Sequence, residues 1–192
     1  METQHGKGTF VSRWAPWAYE PARHLTKQGD QPRATWRTEA ERQGREVVME
    51  ILGVHPDGDL APEVVREALP GLRIVRSKRE WVDGRPIALY ETYVPEEMAD
   101  RAFTALEPIP DGMHDHLEDS IGIRLVGFVE TVAVRMPAPE ERAALQLRDG
   151  VPVFRVTSVA RSPEGPVLVD VKTIAGDAVE MRYAFWAHAE DA

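Results

Sequence analysis

Apolar and polar residues along this chain recur at two spacings, and the switches between them mark out the elements. From Thr35 to Gly44, TWRTEAERQG opens on a helix-capping residue, runs through good helix formers and stops at glycine. REVVMEILGV then alternates as a strand does, and LAPEVVREAL predicts a short helix capped by Asp59. The clearest unit is LRIVRSKREWVDGRPIALYETYVP, two strands about an Asp83-Gly84 turn, with Pro95 ending the second and leading into another helix.

The second half repeats this grammar with different residues. DGMHDHLEDSIG predicts a helix with Asp111 as N-cap and Gly122 as stop, which puts Met113, Leu117 and Ile121 on one buried stripe. IRLVGFVETVAVRMP predicts a strand and APEERAALQL a helix. VPVFRVTSVARS, PVLVDVKTIAGD and VEMRYAFWAHA predict three strands joined by short turns, the first at Glu164-Gly165. Consecutive hairpins imply antiparallel pairing, so the expected class is α+β: a single, mostly antiparallel sheet of about six strands with helices packed to one side of it.

The front of the chain is different material. HGKGTFV, residues 5 to 11, has the form of a hairpin's second arm, with a Gly-Lys-Gly turn followed by β-branched and aromatic residues. Residues 12 to 33 hold three prolines and two tryptophans without a clean period, which predicts a linker that docks through Trp14 and Trp17.

Composition narrows the class. At 192 residues, 43% hydrophobic and 29% charged, the chain is long enough to bury a real core. No apolar run approaches the ~18 residues of a membrane span and the start has no signal-peptide core, so no membrane partner and a cytoplasmic location are expected. The absence of cysteine excludes disulfides and thiolate nucleophiles. A net charge of -9 opposes nucleic-acid binding by the body. That charge is uneven: residues 1 to 50 carry eight Lys/Arg against seven Asp/Glu, leaving fifteen against twenty-five for the rest.

Enzyme signatures are lacking: no GxSxG, P-loop, GxGxxG or HExxH occurs, so no catalytic residue, cofactor or metal is expected. The His114-Asp115-His116 run has metal-ligating residue types, but on a helix its neighbours point apart. Arg76 to Glu80 puts polar groups on both faces of a strand, so at least one is turned toward the sheet's inner side.

Taken in order, EWVDGRPIALYETYVP, MHDHLEDSIG, ETVAVRMPAPEERAALQLRDGVPVFRV, SPEGPVLV and RYAF resemble the UTRA effector-binding domain of bacterial GntR regulators of the HutC type. That resemblance implies a chorismate-lyase-like fold, a small-molecule effector and a homodimer. It sets residues 1–12 as the remnant of a winged-helix wing, 13–31 as a linker and 32–190 as the effector-binding domain. HGKGTFV is similar to the GxGTFV segment that closes the wing in such regulators. On that resemblance His5, Gly6, Lys7, Gly8 and Thr9 are wing residues at DNA, the chain begins inside the wing, and DNA is contacted only through a helix-turn-helix expected upstream.

The resemblance also implies a pocket. The family's two anion-holding arginines correspond to Lys78 and Glu80, its serine and tyrosine at a helix start to Gly112 and His114, its second-arm glutamate to Tyr90, and its late glutamate and tyrosine to Leu168 and Ile174. Thr35 and Trp36 open the first helix, where free backbone N–H groups could meet an anion. Departures at nearly every polar contact argue against a sugar phosphate and for a more apolar ligand with one or two polar groups. Two other classes are a free-standing small-molecule sensor and a chorismate-lyase-like enzyme; incubation with chorismate tests the second.

Overall fold

The computed structural model describes residues 2–4, 8–10, 16–27, 31–57 and 60–184. Near the front, β1 (Glu2–Gln4) pairs antiparallel with β2 (Gly8–Phe10), Thr3 facing Thr9. The hairpin expected from HGKGTFV is therefore present, with Gly8 and Thr9 on its second arm. His5, Gly6, Lys7 and Trp14 lie outside the described residues.

The body is a six-stranded sheet in the order β4-β5-β6-β9-β8-β7, antiparallel throughout. Its strands are β4 (Val47–Pro56), β5 (Arg73–Val82), β6 (Arg85–Pro95), β7 (Gly127–Arg135), β8 (Val153–Ser162) and β9 (Gly165–Ala175). Asp83 (φ 47°) and Gly84 (φ 74°) close the β5–β6 hairpin. Positive φ at both central residues is the type I′ geometry that matches strand twist, and it is why the turn reads Asp-Gly.

The inner face is covered by α2 (Trp36–Arg42), α4 (Arg101–Thr104), α5 (Met113–Asp119) and the segment before α2. Packing on one side only does not hold. On the outer face, Val65 and Leu69 at α3 (Glu63–Ala68) bury against Val75, Tyr93, Val169 and Val171, and the Ala144 carbonyl closing α6 (Pro139–Ala144) accepts from Arg79. Strand alternation sends those side chains opposite to their neighbours, and each apolar row needs its own cover.

Three local expectations are corrected. The N-cap of α5 is Gly112 at φ 80°, one residue after Asp111. The N-cap position of α3 is Pro62, while Asp59 falls outside the described residues. The last predicted strand shortens to β10 (Val179–Met181), which leaves the main sheet and pairs in parallel with β3 (Trp17–Tyr19).

That pairing orders residues expected to form a linker. Trp17 and Tyr19 have no exposed surface, and α1 (Pro21–Leu25) follows at once. Among the described residues no helix is long and apolar enough to cross a membrane.

Candidate functional site

Period-two alternation on three adjacent strands builds one polar floor. Lys78 and Glu80 on β5, Tyr90 and Thr92 on β6, and Asp170 and Lys172 on β9 all face inward. Register aligns Lys78, Tyr90 and Lys172 in one row and sets Thr92 beside Asp170 in the next. Above them stand Tyr19 and His24, the start of α2, and Pro108 to Asp115 leading into α5. Together they enclose a cavity of about 350 Å³, at the small end of pockets that hold small molecules.

The floor is polar but internally matched. Lys78 Nζ donates to Glu80 Oε1 at 2.6 Å and lies 4.3 Å from the centre of the Tyr90 ring. Burial pushes the Glu80 carboxyl up, and Lys78 opposes that shift. Lys172 Nζ donates to the Tyr19 hydroxyl at 3.0 Å, with Glu130 at 3.9 Å. Burial would lower the Lys172 ammonium, yet Tyr19, Asp170 and Glu130 together raise it. Asp170 is buried too, but contact with His114, the charge of Lys172 and a 2.6 Å bond from Thr92 hold it at about 2.

Both ring nitrogens of His114 face oxygen: Nδ1 lies 3.3 Å from the His24 carbonyl and Nε2 lies 3.4 Å from Asp170 Oδ2. His24 itself is driven well down by burial and by the nearby charges of Lys172, His114 and Lys78, so it is neutral. Over this floor Trp36 stacks on Tyr19 at 5.0 Å, meets Trp17 edge-on at 4.3 Å, and donates its indole N–H to the Tyr90 hydroxyl.

Two arginines fix the cover. Buried Arg33, just before α2, binds Asp115 through its backbone N–H at 2.9 Å and its guanidinium at 2.5 Å, and reaches Glu118 at 2.8 Å. Arg76 on β5 donates to the carbonyls of Phe103, Ala105 and Glu107, pinning the chain that becomes the cavity's rim. The rim also needs Gly112. Its φ of 80° suits glycine, and a Cβ there would stand 3.3 Å from the Thr35 methyl.

Of the residues singled out from the sequence, Thr35, Trp36, Lys78, Glu80, Tyr90, Gly112 and His114 line this cavity. Two of the N–H groups at the start of α2 are already engaged, as Thr35 Oγ1 accepts from Thr38 N–H and Thr38 Oγ1 accepts from Thr35 N–H. Leu168 and Ile174 do not line it. They share the inner face of β9 but sit at its ends, Leu168 under Phe103 and Leu117, and Ile174 in the cluster holding Trp17 and Trp36. The rows between them belong to Asp170 and Lys172, and two polar residues at that spacing in an otherwise apolar strand are the signal that marks those rows. Tyr19, His24, Arg33 and Asp115 also went unforeseen. Within the HDH run the side chains do diverge, His114 toward Asp170, Asp115 toward Arg33 and His116 toward Asp100.

A matched polar floor under an aromatic roof is a setting that suits a small molecule. The UTRA domain model matches residues 27–180, and the chain belongs to that family. No curated protein matches it. Among solved structures, PhnF from Mycobacterium smegmatis superposes with a TM-score of 0.72 at 18% identity, covering 97% of this chain and 78% of that one. The ligand-binding domain of a Bordetella bronchiseptica protein described as a GntR-family transcriptional regulator gives 0.63 at 17% identity, over 73% and 90% of the two chains. Both are similar in fold.

Proposed function

We infer that this chain is the effector-sensing and dimerising part of a GntR-type transcriptional regulator of the HutC kind, acting as a repressor and carrying out no catalysis. One observation carries the reading: the cavity is walled on one side by the sheet and on the other by Arg33 and by Tyr19 and His24, residues of the segment that lies between the front hairpin and the domain. A ligand that binds two arrangements of that wall unequally shifts the segment. In a regulator whose winged helix reads DNA, the same coupling free energy links effector to operator in both directions. The antiparallel pairing of β1 with β2 fits the wing of such a DNA-binding unit.

The effector is a small molecule with an apolar body, held through Lys78, and not a sugar phosphate. A phosphate would bring about two negative charges beside Asp170 and Glu80, to lysines that already have carboxylates. Dimerisation is supported by the edge strand β7, where Val129, Val132 and Val134 are exposed on a strand paired on one side only.

Thermal melts against small aromatic and aliphatic carboxylates and sugar phosphates test the reading. An effector at a hundredfold its dissociation constant raises stability by about 2.7 kcal/mol, and Lys78→Ala weakens the hit while leaving the domain folded. A hit indifferent to both Lys78→Ala and His114→Ala, or glucosamine 6-phosphate as the tightest ligand, overturns it.

A further inference from the structure

We propose that the cavity takes an amphoteric ligand, with a carboxylate or similar acceptor at one end, a protonated amine at the other and a short apolar or aromatic body between. The inference rests on the effector-sensing reading and specifies its ligand.

Three observations carry it. The first is balance of charge. Apart from the mouth, Arg33, Lys78 and Lys172 line the cavity together with Glu80, Asp115 and Asp170, with Lys78 2.6 Å from Glu80, Arg33 2.5 Å from Asp115 and Lys172 3.9 Å from Glu130. At the mouth, exposed Arg37 and Asp111 add one charge of each sign. A site with no surplus of either sign gains little from a ligand of large net charge, which must face as many like charges as opposite ones.

The second is unused bonding capacity at two places of opposite sign. An ammonium carries three donors, and one bond from Lys78 Nζ, to Glu80, is accounted for. On Asp170, Oδ1 accepts from Thr92 at 2.6 Å, whereas among the described residues Oδ2 has the 3.4 Å contact to His114 alone. A wholly apolar ligand would strip water from both groups and return nothing, which costs more than the bonds themselves are worth.

The third is their separation. Lys78 lies on β5 and Asp170 on β9, with β6 between them. Two strand spacings put their backbones about 10 Å apart, which leaves room for the two groups to meet opposite ends of one small molecule. Tyr90 lies on the strand between them, and Ile109, Pro110 and Met113 give the cavity an apolar part that suits a short hydrocarbon body.

The test uses matched probes and calorimetry on the intact chain. One set is 4-(aminomethyl)benzoate, 4-methylbenzoate and 4-methylbenzylamine; the other is 5-aminopentanoate, pentanoate and pentylamine; glucose 6-phosphate is added as a dianion. In at least one set the amphoteric member is expected to bind tenfold or more tightly than either single-charge partner. Asp170→Asn should erase its advantage over the carboxylate. Should that variant fail to fold, Lys78→Gln should weaken the amphoteric member and the carboxylate alike and leave the amine unchanged. A carboxylate that binds as well as its amphoteric counterpart, or a sugar phosphate that binds best among the seven, overturns the charge inference while leaving an effector site in place. Silence from all seven also overturns it, and the broader melt screen then decides the sensing reading separately.

Discussion

The two halves of the sheet share a topology and differ in their chemistry. β4, α3, β5 and β6 form one half and β7, α6, β8 and β9 the other. Each strand of the second begins 80 residues after its counterpart: Val47 and Gly127, Arg73 and Val153, Arg85 and Gly165. Both hairpins shift register at the same place, between Glu80 and Trp81 and between Ala160 and Arg161. Matching positions on the inner face nonetheless diverge. Lys78 and Glu80 correspond to Ser158 and Ala160, and Tyr90 and Thr92 to Asp170 and Lys172. After β6 the chain lays α4 and α5 over that face, whereas after β9 it continues into the three-residue β10. Hydrogen-bond ladders set the shared scaffold; the site arises where one half's polar rows meet a cover that is fixed by side chains.

Removing the fixing of that cover is the largest break. Asp115→Ala leaves the Arg33 guanidinium buried with Glu118 as its remaining close carboxylate. Breaking such a pair costs about 3–5 kcal/mol. Urea denaturation measures it, and a loss under ~1 kcal/mol would mean that something other than this pair holds the cover.

Next comes a contrast within β9. Leu168→Ala removes a fully buried side chain from the cluster with Phe103 and Leu117, at a cost of about 3 kcal/mol. It should leave ligand affinity unchanged within a factor of two or so. A tenfold loss of affinity would return Leu168 to the binding surface.

How much of this was legible follows from what holds each part together. The β5–β6 hairpin is written locally, in alternation and an Asp-Gly turn, and the α2 cap is written in Thr35. The outer-face helices were legible as elements but not as to side, because which face α3 covers depends on Val169 and Val171, about a hundred residues away. Residues 16–27 carry no period at all. Their order comes from distant partners, Trp17 on Trp36, Tyr19 on Lys172, and β3 on β10. The pocket residues that went unforeseen belong to this segment, as Tyr19 and His24 do, to the Arg33–Asp115 pair that ties α5 down, or, like Asp170, to a strand position whose importance appears only when three strands are aligned.

Acid separates the halves again. In the first half's cover, Glu118 would be raised by burial, but Arg33, the Leu125 N–H and Lys27 bring it to about 2. In the second, Arg135 pulls Glu141 to about 2 against the cost of burial. A carboxyl with a depressed folded-state pKa contributes stability that is present above its unfolded value near 4 and lost as pH falls toward 2. Each is worth about 2–3 kcal/mol at neutral pH. Denaturation at pH 7, 4.5 and 3 should show the loss beginning below about pH 4.5. Arg33→Gln should flatten the part due to Glu118 and Arg135→Gln the part due to Glu141. If neither changes the slope, other carboxylates carry the acid limb.

The smallest effect tests the entrance of the cover, α2. Thr35 and Thr38 engage each other's backbone N–H groups, and losing an N-cap hydroxyl costs about 1 kcal/mol. Thr35→Ala should lose that amount. Thr35→Ser keeps the hydroxyl but gives up the methyl that faces Gly112, so it should cost a few tenths of a kcal/mol at most. The pair separates two roles. If Ala and Ser are equally destabilising, the methyl against Gly112 matters and the cap does not. If Ala alone is costly, the helix start is set by its own hydrogen bonds, and the rim at Gly112 is shaped to fit a helix already in place.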